Sequence, residues 1–192
     1  MFKALAGLIA MLTAVAVQAS TVSINFDEFT TPPVNCCYGN PTQGVPVIYP
    51  TVTITGGNSG TIMDNTGWSN MQTSGKNLFG TLDGLITLNF NQPISGLSLD
   101  VINGTNAASF TLSEYDNSHN LIDSETMFLN RYTTAGSVER FSLLDSGVFS
   151  ATISGNGDFG VDTITYSDVP EPATLALLGL GLLAFAGLRR RA

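Results

Sequence analysis

The chain of 192 residues predicts an all-β fold, an antiparallel sandwich flanked by one apolar segment at each end. Three patterns predict it. Between the two ends no stretch places apolar residues at helical spacing. Short runs alternate apolar and polar residues, as in Leu97, Leu99 and Val101 against Ser98 and Asp100, or Phe149, Ala151 and Ile153 against Ser150 and Thr152. Clusters of Gly, Asn, Asp and Ser separate these runs, among them Gly56-Gly57-Asn58, Asn103-Gly104-Thr105, Asp116-Asn117-Ser118, Asp145-Ser146-Gly147 and Gly155-Asn156-Gly157-Asp158.

Residues 1–19 read as a secretory signal peptide: Lys3, an apolar run, then small residues ahead of a cut between Ala19 and Ser20. Secretion machinery of the Sec type and a signal peptidase are the partners this implies. Residues 20–168 form the body, roughly 150 residues, enough for one domain with a real core. Its expected strands are 22–26, 47–55, 85–90, 97–101, 109–115, 121–128, 139–143, 148–154 and 161–166. The stretch 56–84, rich in Gly, Ser, Thr and Asn around the single tryptophan, Trp68, reads as long loops.

Charge narrows the partners. Of the 15 acidic residues only Glu171 lies outside the body, and of the seven Lys and Arg only Lys76, Arg131 and Arg140 lie inside it. Fourteen acids against three bases repel nucleic acid and anionic lipid, which leaves divalent cations or neutral polymers as easier partners. The only cysteines are the neighbours Cys36 and Cys37, whose α-carbons, about 3.8 Å apart across a trans peptide, fall below the usual disulfide range. A strained vicinal disulfide, two thiols or bonds to another chain stay open. Metal binding by two cysteines without a nearby His is poorly supported.

The end of the chain, 169–192, runs Val169-Pro170-Glu171-Pro172, then the uncharged Leu-rich stretch 173–188, then Arg189, Arg190 and Arg191. The stretch reads as a transmembrane helix. Sixteen residues at about 1.5 Å each reach roughly 24 Å, short of the roughly 30 Å hydrocarbon core. Snorkelling arginines and local thinning absorb such a mismatch. Pro172 suits a first helical position, and the residue before each proline is held extended, so Pro170-Glu171-Pro172 is a peptide that a processing enzyme can grip. Arginines on the cytoplasmic side put the body outside that membrane.

These three parts in this order closely resemble the C-terminal sorting signal of PEP-CTERM proteins. The resemblance implies recognition by a membrane enzyme, exosortase, in bacteria that also make extracellular polysaccharide. It covers about 24 residues and concerns handling of the protein, not the activity of its body. The acidic, strand-rich body and its opening Phe26-Asp27-Glu28-Phe29 are similar, at the level of fold, to jelly-roll carbohydrate-binding domains.

Chemistry is sparse. Strand parity puts Val22, Ile24, Phe26 and Glu28 on one face, and Asp162, Ile164 and Tyr166 on one face of the last strand. If first and last strands pair antiparallel, Asp27 and Glu28 approach Asp162. Inward carboxylates need a partner, and with three bases in the body a hard cation is a candidate. The jelly-roll resemblance implies a structural Ca²⁺ for Asp27, Glu28 and Asp162, and the alternative is that these acids face water or accept backbone hydrogen bonds. His119, the only histidine, lies in a turn, and the Gly-rich runs lack the Lys and following helix of a phosphate cradle, so no catalytic residue is assigned. Trp68, Tyr38, Tyr49 and Tyr132 are candidates to stack on sugar rings, with Trp68 as a plug of the core the alternative. The expectation is an exported, non-enzymatic protein, held for a time in the inner membrane and then placed at the cell surface or in the extracellular matrix. There it has a structural or adhesive role among polysaccharide; a carbohydrate-binding module or a secreted polysaccharide hydrolase are the alternatives.

Overall fold

A computed structural model describes residues 19–30, 34–35, 44–64 and 73–168, with the backbone alone at 34–35. Residues 1–18, Cys36, Cys37, Tyr38, Trp68 and the sorting segment from Val169 on, with Pro170, Glu171, Pro172, the expected helix and Arg189 to Arg191, lie outside the described residues.

Every described element is a strand: β1 (Thr21–Ile24), β2 (Val34–Asn35), β3 (Val47–Ile48), β4 (Val52–Thr55), β5 (Thr61–Asp64), β6 (Asn77–Thr81), β7 (Leu85–Asn103), β8 (Ala108–Tyr115), β9 (Leu121–Leu129), β10 (Val138–Ser142), β11 (Ser146–Ser154) and β12 (Phe159–Asp168). Pairing runs β2-β5-β6-β12-β7-β11-β8-β9, with β1 on β12, β10 and β4 on β7, and β3 on β4. All pairs are antiparallel except β2 with β5.

Strand β7 joins the two layers of the sandwich. Its first half pairs with β4 and β11, its second with β10 and β12. Ile86, Leu88 and Phe90 point to the core from the first half, and Leu97, Leu99 and Val101 from the second, so the inward parity changes from even to odd. The change falls across Pro93, which has no N–H to give a ladder, and Gly96, whose φ of 63° suits glycine. This corrects the expectation of two separate strands, 85–90 and 97–101. Two edge-on ring contacts cross the core, Phe110 with Phe159 at 5.4 Å and Phe90 with Tyr166 at 5.1 Å. Burial of each such ring contributes about 1.5–3 kcal/mol.

Three further expectations are corrected. The run 47–55 is a hairpin, because Pro50 interrupts it and the Tyr49 N–H bonds the Val52 carbonyl at 2.8 Å. The stretch 56–84 holds two strands, and all five residues of β6 are buried. Their polar groups are satisfied internally: Thr81 Oγ1 donates to the Gly56 carbonyl at 2.7 Å, and Asn77 Nδ2 to the carbonyls of Phe26 and Phe29 at 2.8 Å each. In β11 a register shift makes Val148, not Phe149, the buried partner of Ala151 and Ile153.

Candidate functional site

The expected neighbourhood of first and last strands is present: β1 and β12 pair antiparallel, with Ile24 opposite Ile164. The parity expected for Asp162 is not. Val161 lies opposite Val101 and faces the core with Ile164 and Tyr166, whereas Asp162 lies opposite Asp100 on the outer face. A bulge causes the switch, with Thr163 at a φ of 48°, costly for a β-branched residue.

At this bulge Asp162 holds down the segment 73–74. Its Oδ2 accepts the N–H groups of Thr73 (3.0 Å) and Ser74 (2.8 Å) and the Thr73 hydroxyl (3.2 Å), while Oδ1 accepts the Ser74 hydroxyl (2.8 Å) and the Thr163 N–H (2.6 Å). Burial raises its pKa, and the bonds from Ser74, Thr163 and Thr73 oppose that rise. Asp27 does the same two residues on: Oδ1 accepts the N–H groups of Lys76 (2.7 Å) and Asn77 (3.1 Å), and a β-carbon at Gly75 would collide with its carboxylate. A hollow of about 500 Å³ opens beside this clamp, lined by Asp27, Thr30, Asp64, Lys76 and Asn77 among others.

Glu28 goes elsewhere. Its Oε1 accepts the Tyr49 hydroxyl at 2.5 Å, and burial followed by this bond raises the Tyr49 pKa. The trio Asp27, Glu28 and Asp162 is therefore not gathered around one point, and among the described residues no three His, Cys, Asp or Glu stand as a metal-ligand group. Nor are the described tyrosines gathered. Tyr49 packs against Phe26, with ring centroids 6.4 Å apart, beside the main core, and Tyr132 covers a separate cluster of Met63, Leu78 and Ile102. Ala19 and Ser20 are exposed, and the Asp168 N–H bonds the Ser20 carbonyl at 3.0 Å, so the body begins and ends side by side.

Asp100 completes the dressed outer face. Its Oδ1 accepts Arg140 Nη1 at 2.9 Å, and Arg140 Nη2 also donates to the hydroxyls of Ser98 (2.9 Å) and Thr165 (3.1 Å).

The outer face of the opposite layer was not foreseen as a site. Register aligns Thr126, Thr111 and Ser154 in one row across β9, β8 and β11, and Ser124, Ser113, Thr152, Thr87 and Thr55 in the next, continuing over β7 and β4. Residues of this parity in these strands carry no charge, whereas Asp123 and Glu125 of β9 and Glu114 of β8 all have the opposite parity. The signal was present in Ser109-Phe110-Thr111-Leu112-Ser113, where each second residue bears a hydroxyl. Such positions in single strands look like ordinary solvated ones.

Glu114 is the one acid of β8 that points inward. It is fully buried, and neither carboxylate oxygen has a hydrogen-bond partner. Burial, then the nearby Asp145 and Asp123, push its pKa up to about 8.

Comparison with known families finds the PEP-CTERM protein-sorting motif at residues 168–191. The chain thus carries the signal that its ending resembles, which marks an exported, transiently membrane-anchored protein processed by exosortase. No curated protein matches the chain. Among solved structures it is similar to a DUF4465 family protein from Bacteroides caccae, at 14% identity and a TM-score of 0.54, over 78% of this chain and 100% of that one. This likeness bears on the fold, and it agrees with the antiparallel sandwich. Weaker similarity extends to TmCBM61 in complex with β-1,4-galactotriose (13% identity, TM-score 0.41, 62% of this chain and 88% of that one). It extends also to a family 6 carbohydrate-binding module (13% identity, TM-score 0.34, 77% and 94%).

Proposed function

We propose that the exported body works by association, as a structural or adhesive protein of the cell surface or extracellular matrix, and that it does so without catalysis. The observation that supports this reading is the broad uncharged face of β4, β7, β11, β8 and β9 on a body with fourteen acids and three bases. Three acids away from that face are engaged in holding the fold: Asp27 and Asp162 fasten the segment 73–77, and Asp100 pairs with Arg140. In this reading the leader 1–19 is removed by signal peptidase after Sec-type export, and the chain is then cut at Pro170-Glu171-Pro172. The test is to recover the mature protein from producing cells, measure its intact mass, and sediment it with the cells' own insoluble matrix. A mass corresponding to a chain trimmed at both ends, retained by the matrix at physiological salt, is expected. A mature protein that stays in the supernatant, or one that depolymerises the matrix, overturns the reading.

A further inference from the structure

The paired strands β8 and β9 make the part of the uncharged face best suited to hold a ligand. β9 lies at the end of the strand order, and its face is built from cross-strand pairs with β8 that run in register from Ser109 to Glu114 and shift by one residue at a bulge before Tyr115. At one end Tyr115 lies opposite Leu121, and at the other Ser109 lies opposite Phe128. Between them stand the hydroxyl pairs Ser113 with Ser124 and Thr111 with Thr126, the latter joined by a hydrogen bond of 2.8 Å. Six residues at about 3.3 Å each set the two ends roughly 20 Å apart. Phe128 is 63% exposed and Leu121 58%, while the apolar positions of β8 with core parity, Phe110 and Leu112, are fully buried. An aromatic ring this exposed on a row of hydroxyls gains nothing from the fold itself.

The chemistry selects the occupant. An exposed aromatic ring offers a surface to the C–H face of a sugar, and each threonine or serine hydroxyl is both donor and acceptor, so it matches the hydroxyls of a polyol in either direction. The mutual bond of Thr111 and Thr126 fixes both oxygens and leaves acceptor capacity on each. Because the face bears no charge, an ionic partner gains no pairing there, and the body's excess of acids repels an anionic polymer. The same excess, fourteen acids less three bases or a net charge of −11, disfavours a second copy of this chain on the face. A chain long enough to touch both ends gains from two rings at once, which a free monosaccharide cannot do.

The geometry points to the outer face of β8 and β9, from Tyr115 and Leu121 to Phe128, as a binding track for a linear, uncharged polysaccharide. This deepens the association function proposed above and rests on it.

The test uses the full-length gene in the producing cells, with the mature protein recovered as it is normally processed. Parent, Phe128→Ala, Tyr115→Ala, the double variant Thr111→Val with Thr126→Val, and a control on the other layer, Thr21→Val, are run through native gels containing soluble neutral polysaccharides or alginate. Parent and control are expected to be retarded by at least one neutral polymer and not by alginate. Phe128→Ala and Tyr115→Ala should weaken that retardation about tenfold while their melting temperatures stay with the parent. Retardation unchanged in both aromatic variants overturns the track, as does a protein that sediments with native matrix yet binds no neutral polymer; in either case the association function stands on another surface. Concentration-dependent dimers that vanish in Phe128→Ala also overturn it, since the face would then be a self-contact. Failure to sediment with matrix at all removes both readings together.

Discussion

The two outer faces of the sandwich solve opposite problems. On the layer of β12, β7 and β10, Asp100 and Asp162 stand opposite each other in register, and each is provided with partners: Arg140 for one, the backbone of 73–74 for the other. On the layer of β8 and β9 the polar outward side chains between Tyr115 and Phe128 are hydroxyls that water satisfies equally well. Burial of a carboxylate obliges the chain to cover it, whereas a hydroxylated face can stay bare. The first face therefore contributes stability, and the second is open to a partner.

The sharpest way to break this contrast is Asp162→Ala. It removes the acceptor of five hydrogen bonds and leaves the N–H groups of Thr73, Ser74 and Thr163 without it. A loss on the order of 3–5 kcal/mol is expected from denaturant titration, with Asp162→Asn, which keeps one acceptor, falling between.

Glu114 supplies the next effect, and its sign is fixed. Its folded pKa, about 8, lies above the usual glutamate value of 4.5, so between these pH values the folded state holds a proton that the unfolded state has released. Its stabilising contribution is complete below about pH 4.5 and is lost as pH rises through about 8. Glu114→Gln should flatten that slope in thermal melts and be more stable than the parent at pH 8 by about 1–3 kcal/mol. A steeper decline in the variant would contradict this assignment.

Arg140→Ala tests the pairing at Asp100. Because the Arg140 side chain is 44% exposed, solvent screens the pair, and a loss of about 1 kcal/mol is expected, reduced by salt less than a fully exposed pair would be. The smallest effects belong to the bare face and to chelation. Thr111→Val with Thr126→Val should change stability by less than about 0.5 kcal/mol. Calcium at Asp27, Glu28 and Asp162 is tested by a chelator; with Asp27 and Asp162 already bonded to backbone N–H groups, an unmoved melt is expected, and a drop reversed by Ca²⁺ would show a cation there.

Strands β8 to β12 were legible because their alternation is strong and their turns are marked by Gly, Asn and Asp. β5 and β6 were not, because Thr61, Asn77, Gly80 and Thr81 are residues of loops by composition, and the buried side chains of Asn77 and Thr81 are satisfied by the carbonyls of Phe26, Phe29 and Gly56, which only the tertiary fold supplies. Gly80 and Gly160 even face each other across β6 and β12, where a β-carbon on Gly160 would strike Leu78. The pairing of the first and last strands followed from the sequence. The role of Asp162 did not, because one residue in an unusual conformation, Thr163, turns the strand over. The hydroxylated face lay open in the sequence, but only the register of β4, β7, β11, β8 and β9 turns scattered Ser and Thr into rows.

The place of β12 ties completion of the sandwich to the last residues of the body. It is the last of the described strands in chain order, yet it lies inside its layer, with β7 on one side and β1 and β6 on the other. Without it, β1 and β6 each lack this neighbour and Tyr166 has no place in the core. The sorting motif begins at residue 168. The strand that closes the layer thus ends on the residue at which the sorting motif begins, so a cut ahead of that residue takes a core strand from the body and a cut beyond it does not.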